Sequence, residues 1–340
     1  MAQLGFFDED ERKEKLSKLG DSLERLDKVV DWKSFKPILE KAFRKESKGP
    51  GGRPPYDYIM MFKILILQRI YNLSDEQTEF QINDRITFMR FLGLTMSDRI
   101  PDAKTIWNFR NELVEKKVIE KLFAKFNRSL ESQGIIKKEG VIVDATFVDA
   151  PRQRNTPDEN ESIKNDEMPE GWDNQDEKTV HKIRQKDTDA RWTKKRDETH
   201  YGYKDHVKAD IKSKLITGYT VTSAAVHDSN ELKNLVKKND GKVYADSAYV
   251  GKGKELPEDV ELIVCEKGYR NHPLTEEQKK NNRMKSRTRC RIEHIFGFIT
   301  VSMKGLTLRC IGKARAEFNI GLTNLIYNMF RYETIKRCGL

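Results

Sequence analysis

Cysteine is scarce in this 340-residue chain, and the four present, Cys265, Cys290, Cys310 and Cys338, lie scattered. None stands in a Cys-x-x-Cys pair, which argues against a zinc site, and they read as free thiols in a reducing compartment. Long apolar runs are missing too. The longest, around Tyr58 to Leu67, is interrupted by Lys63 and is too short to span a bilayer. The opening Met1-Ala2-Gln3-Leu4-Gly5-Phe6-Phe7-Asp8 lacks the basic start and apolar core of a secretory signal, so a cytoplasmic protein without membrane contact is expected. No Gly-rich phosphate loop, Ser-His-Asp arrangement or internal repeat stands out.

Charge is what the chain has in quantity. Lys and Arg number 64 against 54 Asp and Glu, a net charge of +10. That excess favours an acidic polymer as partner, with nucleic acid ahead of a membrane surface. Hydrophobic residues at 37% suffice for a core, and the length suggests two domains.

Residues 1–48 read as a charged N-terminal helical segment, with Leu16, Leu19, Leu23 and Leu26 on one stripe. Lys48 to Pro55, rich in Gly and Pro, reads as a linker. Residues 53–133 read as a series of short helices. Tyr58 to Tyr71 is apolar on nearly all sides and should be central. Ser74-Asp75-Glu76-Gln77 fits a capping box, Asp84 can cap a third helix that Gly93 ends, and Asp102 or Thr105 can start a fourth.

From residue 140 to 336 the pattern becomes α/β. Strands are expected at 141–149, 203–210, 215–225, 242–246 and 261–265, with closing helices at about 281–300 and 313–336. That order is the order of a ribonuclease-H-like fold, a mixed five-stranded sheet with flanking helices. A polar insertion occupies about 150–200. Its first part is too polar to form a core and should pack poorly. Gln185 to Trp192 should be better ordered, because Trp192 needs burial and Asp187, Asp189 and Arg191 can pair locally.

Three acids organise this second region. Asp144 sits in the apolar run 141–148, on the strand face opposite Val143, Ala145 and Phe147. An acid in such a setting is costly to bury unless a cation compensates it. Asp149 has the opposite parity. Asp246 closes the run Val243-Tyr244-Ala245, at a strand-to-loop exit. If the first and fourth strands are neighbours, Asp144 and Asp246 come together. Glu293 lies in a helical stretch crowded with Arg283, Lys285, Arg287, Arg289 and Arg291. Arg289 and Glu293 then form either an ordinary surface pair or a metal-bridging carboxylate beside a phosphate contact. The three acids together suggest phosphoryl transfer assisted by Mg²⁺. His227 ends a strand near that site, where it either positions a phosphate or simply caps the following turn.

These segments resemble DDE-class bacterial insertion-sequence transposases, specifically the IS-five-like group. The resemblance covers most of the chain. Its catalytic-domain part lies in Val143-Asp144-Ala145-Thr146, Gln185 to Trp192, Tyr201-Gly202-Tyr203-Lys204, His227-Asp228-Ser229, Ala245-Asp246-Ser247-Ala248-Tyr249 and Arg291 to Gly297. Gly52-Arg53-Pro54-Pro55-Tyr56, Arg99 to Thr105 and Phe109-Arg110 carry the helical DNA-binding part. The resemblance implies a catalytic and metal-binding triad of Asp144, Asp246 and Glu293. It also implies a helix signature in which Arg289 and Glu293 match, while Ser286 and Thr300 stand where Tyr and Lys are expected. Lys304 would return to that face only if the helix ran so far.

The implied protein binds two Mg²⁺ (or Mn²⁺), recognises terminal inverted repeats of double-stranded DNA, and cleaves and transfers strands into target DNA. It would work as a homodimer or higher oligomer, in association with the bacterial nucleoid. Arg289, Arg53, Lys104 and Arg110 are the expected DNA contacts, with His227 and Lys304 as accessory candidates. Two rival classes remain: a metal nuclease that only hydrolyses, and an inactive or domesticated DNA-binding protein.

Overall fold

The computed structural model describes residues 8–44, 54–153, 155–173, 176–195, 197–269 and 272–339. It divides into two compact units. One comprises Met1–Leu130, Ser302–Lys304 and Leu322–Leu340; the other comprises Glu131–Val301 and Gly305–Gly321.

The first unit is helical: α1 (Asp8–Lys18), α2 (Ser22–Val29), α3 (Lys36–Phe43), α4 (Tyr58–Tyr71), α5 (Asp75–Asp84), α6 (Ile86–Leu92), α7 (Ala103–Glu115) and most of α8 (Val118–Ser132). Local chemistry sets the boundaries. Asp57 starts α4 by accepting from the Met60 N–H at 2.8 Å. Ser74 and Gln77 close the capping box of α5, and Asp102 starts α7 by accepting from Thr105 N–H at 2.7 Å. Gly93 ends α6 with φ 73°, a left-handed conformation that glycine adopts without a Cβ clash. Asp84, expected as a cap, instead ends α5, and Arg85 precedes α6 without a side-chain cap. The α4 helix is central as expected, burying Phe62, Ile64, Leu65, Ile66 and Leu67 completely or nearly so.

The second unit holds β1 (Val141–Asp149), α9 (Pro157–Lys164), α10 (Glu177–Arg184), β2 (Arg191–Lys195), β3 (Glu198–Asp210) and β4 (Ile216–Ser223). Then come α11 (Leu232–Leu235), β5 (Lys242–Ala245), β6 (Glu261–Val264), α12 (Glu276–Arg289), α13 (Glu293–Val301) and the start of α14 (Lys313–Cys338). The mixed sheet runs β2-β3-β1-β5-β6, with β4 also on β3. The pairs of β3 with β1 and β4 are antiparallel; β1–β5 and β5–β6 are parallel. Its five core strands, β4-β3-β1-β5-β6, make the ribonuclease-H-like order.

The sheet has a sixth strand beyond the five expected. β3 is long enough for Glu198–Gly202 to pair with Arg191–Lys195, while Tyr203–Ala209 pairs with β4. The polar composition of Arg191–Lys195 hid this hairpin. Trp192, expected to be buried, is 43% exposed on it. Nor is the first part of the insertion poorly packed. Thr156 and Glu159 form a capping box for α9, Ile163 and Trp172 are buried, and Glu159 accepts from Trp172 Nε1 at 3.2 Å and Lys182 Nζ at 2.6 Å. A carboxylate that gathers several donors replaces the apolar core the segment lacks.

Candidate active site

The alternation of β1 decides where Asp144 points. Val141 and Val143 pack with Leu232, Leu235, Val243 and Ala245 on one face of the sheet. Val148, of the same parity as Asp144, packs with Tyr203, Leu308 and Ile320 on the other. Residues of β5 alternate in step, so Asp246, following Ala245, has the parity of Asp144.

Register brings the two acids together. β1 and β5 pair in parallel as Val141↔Val243 and Ile142↔Tyr244, each separated by 102 residues. Asp144 and Asp246 carry the same offset, two residues further along, at the carboxyl end of β5. Adjacent strands lie about 4.8 Å apart, and the charge of Asp246 is felt at Asp144.

Burial pushes the Asp144 carboxyl above its ordinary range. The Ala145 N–H and Arg289 oppose that rise, while Asp246 adds to it. Asp144 Oδ1 accepts from Ala145 N–H at 2.9 Å, and Oδ2 accepts from Arg289 Nη1 at 3.2 Å. Asp246 Oδ1 accepts from Ala248 N–H at 2.7 Å, which fixes the turn after β5.

Glu293 is placed differently. It is exposed and is the first residue of α13. The expected helix at 281–300 is divided, because Cys290–Ile292 tightens into a 3₁₀ turn between α12 and α13. That turn packs on β1. Among the described residues, however, no three His, Cys, Asp or Glu side chains are grouped closely enough to hold a metal ion. The strand register sets Asp144 and Asp246 side by side.

The remaining candidates separate clearly. Arg289 pairs with Asp144, not Glu293. Lys104 is exposed in the first turn of α7. Arg110 is engaged elsewhere: Nη1 and Nη2 reach Asp75 Oδ1 and Oδ2 at 2.6 and 2.8 Å, and Nη1 also reaches Gln68 Oε1 at 2.9 Å. Arg53 lies outside the described residues. His227 caps the turn after it, its Nδ1 accepting from the Ser229 N–H at 3.3 Å. Lys304 lies beyond the end of α13 at φ 56°, so the helix does not carry it back to the face of Glu293.

Two lysines were overlooked in the sequence. Lys195 on β2 adds positive charge near Asp144, and its basic neighbours Lys194 and Arg196 were the available signal. Lys204 donates to Asp228 Oδ1 at 2.8 Å and to the Val226 carbonyl at 2.6 Å, anchoring the loop that carries His227. Only tertiary structure reveals that link.

Two family models match the chain. The Transposase domain model matches residues 10–112, and the Transposase DDE domain model matches residues 136–329. The chain belongs to the DDE transposases. It is accordingly a DNA transposase, a DNA-binding recombination enzyme of the insertion-sequence class, in a family that generally uses divalent metal ions. No solved structure matches it. Among the described residues, no helix is long and apolar enough to cross a membrane.

The paired carboxylates suit a hard cation. Both offer oxygen, the donor that Mg²⁺ and Mn²⁺ prefer, and their mutual repulsion favours a positive charge between them. Arg289 supplies part of that charge within the chain itself.

Proposed function

We propose that this transposase, of the IS-five-like group, binds the terminal inverted repeats of its own element, cleaves a DNA strand at each end, and joins the freed end to target DNA. The observation that carries this reading is the shared 102-residue offset of the β1–β5 register and the Asp144–Asp246 pair, with Arg289 bound to it. Asp144, Asp246 and Glu293 would hold two Mg²⁺ or Mn²⁺. When bound, these ions supply Lewis-acid stabilisation of the charge that develops on phosphate and lower the pKa of an attacking water or hydroxyl.

The chain's own residues do the rest. Asp144 and Asp246 fix the negative field at the strand ends. Arg289 moves from Asp144 to a DNA phosphate as the end arrives. Glu293, exposed at the start of α13, closes on the pair with the substrate in place. Lys104 and Arg53 belong to the helical region that holds the repeat. Two ends must be joined, so a dimer or larger assembly forms on DNA, in the cytoplasm at the nucleoid.

The test uses a duplex carrying the element's end and a supercoiled target plasmid, with Mg²⁺. Wild type should nick the duplex and join it to the plasmid. Asp144→Asn, Asp246→Asn and Glu293→Gln should each lose about 10³-fold or more in cleavage, roughly 4 kcal/mol of barrier, while still binding the duplex. Nicking without joining would make the protein a hydrolytic nuclease. Full activity in any one variant would remove that residue from the site.

A further inference from the structure

We propose that the outward stripe of α12 formed by Lys280, Arg283 and Arg287 is a track for target DNA, held through its phosphates without regard to sequence. This rests on the transposase reading above. In sequence, the basic run from Lys279 to Arg291 is indistinguishable from a solvated charge face.

The structure sorts that run. Lys279 is paired with Glu276 at 2.8 Å, in the first turn of the helix beside Glu277. Lys285 reaches Glu266 at 3.3 Å. Arg289 reaches Asp144, and Arg291 donates to the Ile211 carbonyl at 2.9 Å. Lys280, Arg283 and Arg287 are exposed, and their side chains make no hydrogen bond or ion pair with any described residue.

Their spacing of three and four puts these cations on one side of the helix. No residue of α12 is buried, so this side is open to a large partner. Seven residues rise about 10 Å, and one DNA strand presents a phosphate for about every 3.4 Å of duplex axis. The stripe therefore spans about three phosphate steps of a duplex whose axis runs along α12. Its last member, Arg287, lies one half-turn before Arg289, on the side of α12 away from Asp144.

The amide of Asn282, which could contact a base edge, is turned inward. Its Nδ2 donates to the Glu266 carbonyl at 3.0 Å and its Oδ1 accepts from the Glu266 N–H at 2.9 Å. Cations that contact phosphate give affinity and register along a duplex but no sequence choice. A terminal repeat must be told from other DNA. Target DNA need only be held in line, and that is the partner this surface fits.

The full-length Arg283→Gln/Arg287→Gln variant tests it, with folding checked by circular dichroism. Equilibrium binding is measured over a range of salt to two duplexes, one of random sequence and one carrying the element's end. The salt slope on the random duplex should fall by about two units, and the preference for the end duplex should rise. Lys280→Gln should remove about one unit more. An unchanged slope on the random duplex returns the stripe to a solvated face. A loss confined to the end duplex, or larger on it, assigns the stripe to the element's end and overturns the target role. Absence of salt-dependent binding by wild type to either duplex would sink the transposase reading itself.

Discussion

Arg289 donates from Nη1 to Asp144 Oδ2 at 3.2 Å, so the carboxylate of β1 already has a cation, carried by the last residue of α12. A divalent ion approaching that oxygen meets both a competitor for the lone pair and a like charge. Arg289→Gln should therefore raise the affinity of the DNA-free protein for Mn²⁺ severalfold, read by calorimetry or by the loss of free-ion paramagnetic signal. Asp144→Asn should remove the tighter binding. Equal Mn²⁺ affinity in wild type and Arg289→Gln would show that the contact does not compete with metal.

Arg110 gives a prediction of opposite character. Its two-pronged bond to Asp75 ties α7 to α5, and Gln68 of α4 joins it. Asp75 is buried enough for its carboxyl to rise, yet the hydrogen bonds from Arg110 and Gln68 hold it below its ordinary value. Arg110→Gln should destabilise the helical unit by about 1–3 kcal/mol and lower its melting temperature. The salt slope of DNA binding should be unchanged, whereas Lys104→Gln should lower that slope by about one unit. A lower slope with undiminished stability for Arg110→Gln would make it a DNA contact after all.

These contrasts mark what was legible in the chain. The parity of Asp144 against Val143 could be read directly, because side chains alternate along a strand whatever it packs against. The link between Asp144 and Asp246 needed only that their strands be neighbours. The capping box of Ser74 and the αL stop at Gly93 are local, and both were legible. Arg110 was not, because its partners lie 35 and 42 residues away. The insertion misled for another reason. Glu159, Lys182 and Trp172 form a polar hub that hydropathy cannot register. The divided helix at Cys290–Ile292 and the exposed Glu293 depend on packing against β1, which helical periodicity does not encode.

Asp187 tests how the insertion is fastened to the sheet. Its carboxylate, 1% exposed, accepts from Tyr203 Oη at 2.8 Å and from the N–H groups of Asp189, Ala190 and Gly312 at 3.1, 3.0 and 2.9 Å. Asp187→Ala would strand those donors and should cost on the order of 3 kcal/mol or more. Asp187→Asn keeps the shape but loses acceptor capacity, so it should fall between the two. Hydrogen exchange at 185–195 should accelerate in the order wild type, Asn, Ala. Equal protection in all three would mean that the segment is held by other contacts.

Glu159 gives the insertion a dependence on pH. Burial alone would raise its carboxyl, but the Lys182 ammonium, the Thr156 N–H and the Trp172 indole outweigh burial and bring it down to about 2. A carboxylate with a depressed folded-state pKa stabilises the fold fully above its unfolded value of about 4.3. That contribution is lost as pH falls toward the folded value. The surroundings of Trp172 should therefore loosen as the pH drops from about 4.5 to 2, ahead of the general loss of structure. Glu159→Gln should be destabilised by about 1–3 kcal/mol at neutral pH and should lack this early acid step, since it has no proton to gain. Indole fluorescence, with the other three tryptophans replaced by phenylalanine, follows Trp172 alone. If the two proteins show the same acid profile, Glu159 is not what holds the insertion together.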